Sequence, residues 1–550
     1  MMSLNPSELI KQYERMRSDH QYWEPIWQDL ADYISPRRSQ FTTKRSPGQK
    51  QTEKLFDSTA LNACDRLAAT INGTLTSRAV KWFSLRLRNE DLNEIKEVDA
   101  WLEKCAMGMF RAFNQSNFAQ EMAEDYSDIV GLGTSAIFME ERNAEGPAFG
   151  GFRFTALSLS DYAIEENADG EVDTVFRTFQ LSAAACIRRW GKEHVGEKIL
   201  KAFNDGKPET MFTILHAVLP REPRMVKLGG PATKMPFASA HVCMADKYLI
   251  NESGFQEFPI LVARWSKTSG EKYGRGPGFL ALPDIKTLNK IKEKVLRAVA
   301  KGVDPPTKTL REMVGAIRNV GGGNTVVRGD MDNIQPLFQA GYFDGILRND
   351  QIKSSELIQS IEKMFMADQI QLPPPVANTT AYEIGKRFEQ AQRILGPSMG
   401  RLESEKLQGI IRRGFGIMYR KGAFDAPPQV LLEQGAQIDV QYEGPLARSQ
   451  RLTEAEGIEA TANLAIQIAQ VYPPAIDKID WDKMIDIVAD VRGAPAKVIR
   501  DEIEVKRIRA ARAQQQQQQQ QLADQSQQAE AMGKAAPALQ ILSGGQQRGK

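Results

Sequence analysis

Apolar positions recur every three to four residues over residues 7–19 and 25–34, and again over about 55–75, 98–113 and 118–130. That period predicts five helices in the first quarter of the chain. Ser35-Pro36 stops the second, and the polar, basic stretch from Arg37-Arg38 to Pro47-Gly48 reads as an exposed loop. From residue 134 to 265 the period shortens. Residues 136–139, 152–154, 174–179 and 211–215 are short β-type runs between turn residues, interrupted by a helical pattern at 182–203. This predicts an α+β region built on a largely antiparallel sheet. Long helical patterns return at 284–301 and 343–366, with turns and short strands between them, including Asp304-Pro305-Pro306 and Gly321-Gly322-Gly323. A proline-rich loop, Gln371-Leu372-Pro373-Pro374-Pro375, precedes a third helical pattern over 380–421, which Gly396-Pro397 is expected to break. The last hundred residues are helical up to a glutamine tract at 514–521, and a disordered tail is expected from residue 525.

On a wheel of 100° per residue, Lys286, Lys290, Lys294, Arg297 and Lys301 fall within an arc of about 80°. Leu288, Ile291, Val295, Leu296 and Val299 gather opposite, over about 140°. Lys292 is the exception, a long stem that can cover apolar surface while its head reaches water. Cations three and four residues apart repel one another and weaken a lone helix. A solvated lysine face is the ordinary explanation of such a stripe. Here few acids accompany it, and the following segment adds Lys308, Arg311, Arg318 and Arg328. A helix facing a polyanion, its apolar side packed on neighbours, accounts for both. Lysines attract a phosphate lattice without reading sequence. No interleaved aromatics suggest stacking on single-stranded bases, so duplex backbone is the expected target.

The chain has 550 residues, which calls for two to four domains, and its 42% hydrophobic and 25% charged residues are those of a folded globular protein. A net charge of +2 says nothing by itself about partners. No apolar run approaches the roughly 18 residues of a membrane span. The opening residues carry no cationic run followed by an apolar core, so no secretory signal is expected, and a cytoplasm is the expected place of synthesis and use. Cys64, Cys105, Cys186 and Cys243 are scattered singly and read as buried free thiols. His20, His194, His216 and His241 are equally dispersed, so neither a metal nor a cofactor is expected. The stretch Gly191-Lys192-Glu193-His194-Val195-Gly196-Glu197-Lys198 lacks the Gly-Lys-Ser/Thr ending of a phosphate loop. The acidic pairs Glu140-Glu141 and Glu165-Glu166 read as strand ends or turns rather than metal ligands.

Five stretches, in order, resemble the portal family of short-tailed phages, the podoviruses. The first is Ile71-Asn72-Gly73-Thr74-Leu75-Thr76-Ser77-Arg78 with Lys81-Trp82-Phe83, and the second is Gly131-Leu132-Gly133-Thr134-Ser135-Ala136. The third and most distinctive runs from Arg264-Trp265-Ser266 through Gly270-Glu271 and Tyr273-Gly274-Arg275-Gly276-Pro277-Gly278 to Ala281-Leu282-Pro283-Asp284-Ile285-Lys286-Thr287-Leu288-Asn289. Thr380-Ala381-Tyr382-Glu383-Ile384 with Leu395-Gly396-Pro397, and Tyr442-Glu443-Gly444-Pro445-Leu446-Ala447-Arg448, complete the set.

That resemblance implies an α+β portal subunit. Its parts would be N-terminal helices and an α+β wing at 1–283, a first stem helix at 284–302, a clip at 303–341 and a second stem helix at 342–367. A tunnel loop at 368–379, containing Gln371 to Pro375, would follow. A kinked helix returning to the wing would occupy 380–445, a helical crown 446–524, and a tail 525–550. It further implies a ring, usually of twelve subunits, at one vertex of the virion, conducting double-stranded DNA in packaging and ejection. Partners would be the terminase, the major capsid and scaffolding proteins, tail adaptors at the clip and internal core or ejection proteins at the crown. Assembly would take place in the host cytoplasm, without a membrane. ATP chemistry would belong to the terminase, so no enzyme activity is expected. The competing expectations are a scaffold or adaptor that never encloses DNA, and a nucleic-acid enzyme.

Overall fold

The structure is a computed structural model. It describes residues 4–38, 40–43, 48–79, 81–93, 95–142, 148–227, 230–303, 307–309, 334–336, 344–366, 396–433, 440–443, 445–492 and 505–519. Two compact units emerge, one of Met1–Glu90 with Trp101–Leu446 and one of Asp91–Ala100 with Ala447–Lys550.

The first unit opens with α1 (Pro6–Gln21) and α2 (Glu24–Ile34). Asn5 caps α1 by accepting the amide of Ser7, with Pro6 at the first helical position where its missing N–H costs nothing. The segment after α2 is not the free loop expected. Pro36–Arg38 forms a 3-10 turn, and Arg38 is ion-paired with Asp128 at 2.9 Å and Glu124 at 3.2 Å. Then come α3 (Thr59–Leu75), β1 (Ser84–Leu87), α4 (Lys96–Gln115) and α5 (Phe118–Leu132). Two antiparallel sheets follow. β2 (Thr134–Glu141), β3 (Phe152–Leu157) and β9 (Ile260–Arg264) form one, in the order β3-β2-β9. β4 (Tyr162–Glu166), β5 (Val172–Ser182), β6 (Met211–Pro220), β7 (Phe237–Cys243) and β8 (Tyr248–Phe255) form the other, paired in chain order.

Because strand side chains alternate, each face of the five-stranded sheet has its own core. Leu9, Ile10, Tyr13 and Met16 of α1 cover Ala163, Phe176, Leu215, Ala217, Ala240 and Val242. Each large side chain so buried contributes about 1.5–3 kcal/mol. Part of the opposite face is covered by the predicted helical insert, which is in fact two helices, α6 (Ala183–Trp190) and α7 (Glu197–Asn204). Ser182 caps the first through the amide of Ala185, and Gly191, at φ +86°, ends it.

α8 (Pro277–Val303) begins earlier than expected and carries Pro283 inside it rather than before it. In its second turn the proline removes one intrahelical bond, and packing of Ala281, Leu282, Ile285 and Leu288 holds the helix through it. β10 (Thr307–Thr309) pairs antiparallel with β11 (Ile334–Pro336), and α9 (Asp344–Met364) returns against α8. α10 (Gln408–Arg420) continues helical backbone that runs from residue 396 through a π-turn at Glu403–Leu407. β12 (Val440–Glu443) pairs with β1, a strand pair the sequence pattern did not reveal.

In the second unit, α11 (Pro445–Ala469) and α12 (Trp481–Arg492) precede helical backbone over 505–519, whose Arg509 is paired with Asp482 at 2.6 Å. Helix therefore enters the glutamine tract as far as residue 519. Arg311, Arg318, Arg328, the loop from Gln371 to Pro375, the motif from Thr380 to Ile384 and the tail after 525 lie outside the described residues, as do the side chains of Lys301 and Lys308.

Candidate nucleic-acid interface

Two of the family-like motifs meet backbone to backbone. α5 ends at Gly133, whose φ of +80° suits a left-handed cap and whose amide donates to Ile129. A Cβ at Gly133 would lie 2.5 Å from the Gly274 carbonyl, and one at Gly276 would lie 2.7 Å from the Val130 carbonyl. Gly278 is equally close, 2.6 Å from the Gly131 carbonyl. Such approach is open only to glycine. The Gly274 amide donates to Thr134 Oγ1 at 2.8 Å and the Trp265 amide to the Gly133 carbonyl at 2.9 Å. The seam fixes the point from which α8 departs.

A buried polar bolt stands beside it. Within the π-turn, neighbouring side chains reach different partners. Glu405 accepts from Arg264, with Nη2 at 2.9 Å and Nε at 3.2 Å, while Lys406 inserts between Asp125 Oδ2 and Ser135 Oγ. Burial pulls the Lys406 ammonium below the usual lysine range, against the attraction of Asp125. Arg264 also donates to Glu166 and to the Gly170 carbonyl.

α8 is pinned over its first half. Asn289 Oδ1 accepts the amides of Phe56 and Asp57 at 2.8 and 3.0 Å, and its own amide group donates to the Ile285 carbonyl. Ser360 of α9 donates to Asp284 at 2.7 Å. Beyond Asn289 the burial falls away, and Leu296 and Val299, expected to be packed, are 56% and 43% exposed. The helix has run past the body of its own unit.

The basic stripe is present but less bare than its sequence suggests. Lys286 is paired with Asp29 of α2 at 2.7 Å. Glu293, two turns further along the helix, holds Arg297 at 2.7 Å and stands 3.5 Å from Lys290. Lys294 is exposed and has no acidic partner among the described residues. These exposed pairs are weak, each worth about 1 kcal/mol or less, and exchange readily for phosphate.

Among the described residues no three His, Cys, Asp or Glu side chains stand together as a metal site, and no helix is long and apolar enough to cross a membrane. All four cysteines are buried and free, as expected, with burial pushing Cys105 up to about 12 and Cys243 up to about 11. Two dispersed histidines do come together. His216 and His241 occupy paired positions on β6 and β7 with their rings stacked.

The first unit combines an α+β body with two long helices, α8 and α9, that lie against each other. The profile of the family described as bacteriophage head to tail connecting protein matches residues 6–499. The chain belongs to that family, and it is a structural protein of the phage rather than an enzyme. It is 28% identical to the portal protein of Salmonella phage epsilon15, over 98% of this chain and 95% of that one. It is likewise 28% identical to the probable portal protein of Bordetella phage BPP-1, over 92% and 90%.

Proposed function

We propose that this chain is a phage portal. In this reading it forms a ring of twelve copies at one capsid vertex, conducts double-stranded DNA inward during packaging and outward at ejection, and anchors the tail. The observation that carries the proposal is the α8–β10–β11–α9 arrangement. Two helices lie against each other, joined by the Ser360–Asp284 bond and tied to the body by Asn289, and short antiparallel strands stand beyond their far ends. α8 and α9 would be the stem. The segment between them, with Lys308, Arg311, Arg318 and Arg328, would be the clip offered to the terminase and then to tail adaptors. Gln371, Leu372, Pro373, Pro374 and Pro375 would form the tunnel loop.

Lys286, Lys290, Lys294, Arg297 and Lys301 would face DNA or a neighbouring copy. Exposed Leu296 and Val299 favour close neighbours on the same helix. The second unit supports the ring in the same way. Leu464, Ile466, Ile468, Val471, Ile485 and Ile487 are all exposed there, a density that copies side by side would cover. That unit would be the crown, facing capsid-internal core or ejection proteins. Assembly with major capsid and scaffolding proteins would take place in the host cytoplasm.

Native mass spectrometry of the purified chain tests the ring. A species near twelve times 61.4 kDa is expected. A stable monomer at micromolar concentration would overturn the proposal in favour of a non-ring adaptor. Replacing Lys286, Lys290 and Lys294 together by Gln should preserve the ring and impair packaging or DNA retention. Normal packaging and retention by that variant would remove the stripe from the channel.

A further inference from the structure

A row of polar side chains crosses the face of the five-stranded sheet that lies away from α1. Arg177 on β5, His216 on β6 and His241 on β7 are successive register partners, so their side chains leave the same face. Two different layers flank this row. On one side stands β2 of the three-stranded sheet, which presents Phe138. On the other stands the end of α6, which presents Arg189 and Trp190.

The row is held firmly. The Arg177 guanidinium lies over the Phe138 ring, 4.4 Å from its centroid, and 5.5 Å from that of Phe179. Its Nε donates to His216 Nδ1 at 3.0 Å. That nitrogen must therefore carry the lone pair, which puts the proton on Nε2, 3.0 Å from Ser239 Oγ. His241 stacks on the far face of this arrangement, ring on ring at 4.3 Å and 5°.

Two observations point to a missing partner. The Nη groups of Arg177 donate to nothing among the described residues, although the side chain is half-buried. Burial, with Arg189, draws the guanidinium down to about 10, and Glu140 opposes this only from beyond ion-pair distance. In addition, His241 is 8% exposed and neither of its ring nitrogens has a hydrogen-bond partner among the described residues. An arginine largely withdrawn from water is usually paired, because an unpaired buried charge is costly, and the Arg177 Nη atoms remain open to an anion arriving from solvent. A planar fork fixed at Nε and stacked on an aromatic ring is the form that receives two oxygens of one anion side by side.

We propose that this seam binds a single oxyanion of the carboxylate–phosphate class, gripped by the Arg177 fork with Arg189 as the second cation. Duplex DNA fits it poorly, since a phosphate lattice calls for a run of cations and the seam supplies two. The anion is either a free small ion or one acidic side chain of a partner polypeptide. The site is distinct from the basic stripe of α8 and does not depend on the portal reading.

Calorimetric titration of the full-length protein with inorganic phosphate, and separately with a hexaglutamate peptide, tests the proposal. At least one probe should bind at millimolar concentration or below and raise the melting temperature. Phosphate alone would identify a free ion, and tighter binding of the peptide an acidic side chain. Arg177→Gln should abolish binding. Arg189→Gln, a change at an exposed position, should weaken it several-fold even if the first variant folds poorly. Glu140→Gln should tighten it. Absence of binding by either probe to the folded wild type would sink the proposal, as would equal affinity in wild type and Arg189→Gln.

Discussion

Lys406 Nζ is bonded to Asp125 Oδ2 in a place where both side chains are almost wholly removed from water, at 1% and 0% exposure. A buried pair of this kind adds little over an apolar pair of the same volume, but losing one member leaves the other charge stranded. Lys406→Met should therefore cost about 3–5 kcal/mol. Asp125→Leu added to it should recover at least half. Urea midpoints of the two variants check this, and a single variant as stable as the wild type would show that water reaches the site.

Gly276 makes a second test, because its neighbours are carbonyl groups that have no room to retreat. Gly276→Ala should destabilise the first unit by about 2 kcal/mol or more through enforced backbone movement. Gly73, whose Cβ position is open space in the last turn of α3, is the control. Gly73→Ala should be neutral or mildly stabilising. Thermal melts of the pair separate close approach from simple loss of glycine.

On α8 the acid Glu293 restrains two cations, so its removal should act opposite to removal of a cation. Glu293→Gln is expected to strengthen duplex DNA binding and steepen its salt dependence. Lys294→Gln should weaken binding and lower the salt slope by about one, the share of a single neutralised phosphate. Neither should move stability by more than about 0.5 kcal/mol. Anisotropy titrations across a range of salt would read both effects, and parallel changes in the two variants would refute the assignment.

Acid should unlock the histidine stack. Burial, then Arg189 and Arg177, hold the His241 imidazole down to about 3, so the native ring is neutral beside His216, Trp190 and Phe179. The unfolded chain takes up a proton near pH 6.5 that the native state refuses until about pH 3. The neutral ring's contribution is complete above pH 6.5 and is lost as the pH falls from there toward 3, at most on the order of 5 kcal/mol. His241→Phe keeps an aromatic ring and cannot titrate. Its stability should fall less steeply with acid, and identical pH profiles would locate the acid response elsewhere.

Local periodicity made much of the fold legible. The helices of the first quarter, the strand texture of 134–265 and the helix–strand–helix order after residue 277 all repeat at short range. What escaped depends on residues distant in sequence. Asp29 neutralises Lys286 from 257 positions away, so no helical wheel of α8 could include it. Gly133 and Gly276 stand in two family-like motifs well over a hundred positions apart, and only the meeting of those segments shows why each must be glycine. The histidines looked scattered because a strand register, not a spacing motif, brings His216 to His241. β1 and β12 are four residues each and lie more than 350 positions apart, too short and too remote for any pattern to pair them.

The attachment of α8 also has a mechanical meaning. At about 1.5 Å per residue, its 27 residues form a rod roughly 40 Å long, clamped between the glycine seam and Asn289 and cantilevered from there to Val303. A sideways load at the free end acts with a lever arm of about 20 Å on the clamp. The clamp is made of backbone contacts and one doubly bonded asparagine, whereas the span beyond it carries surface ion pairs within the helix and has α9 alongside. Bending would therefore concentrate just past Asn289, and the body that carries Arg264, Lys406 and the two sheets would stay at rest.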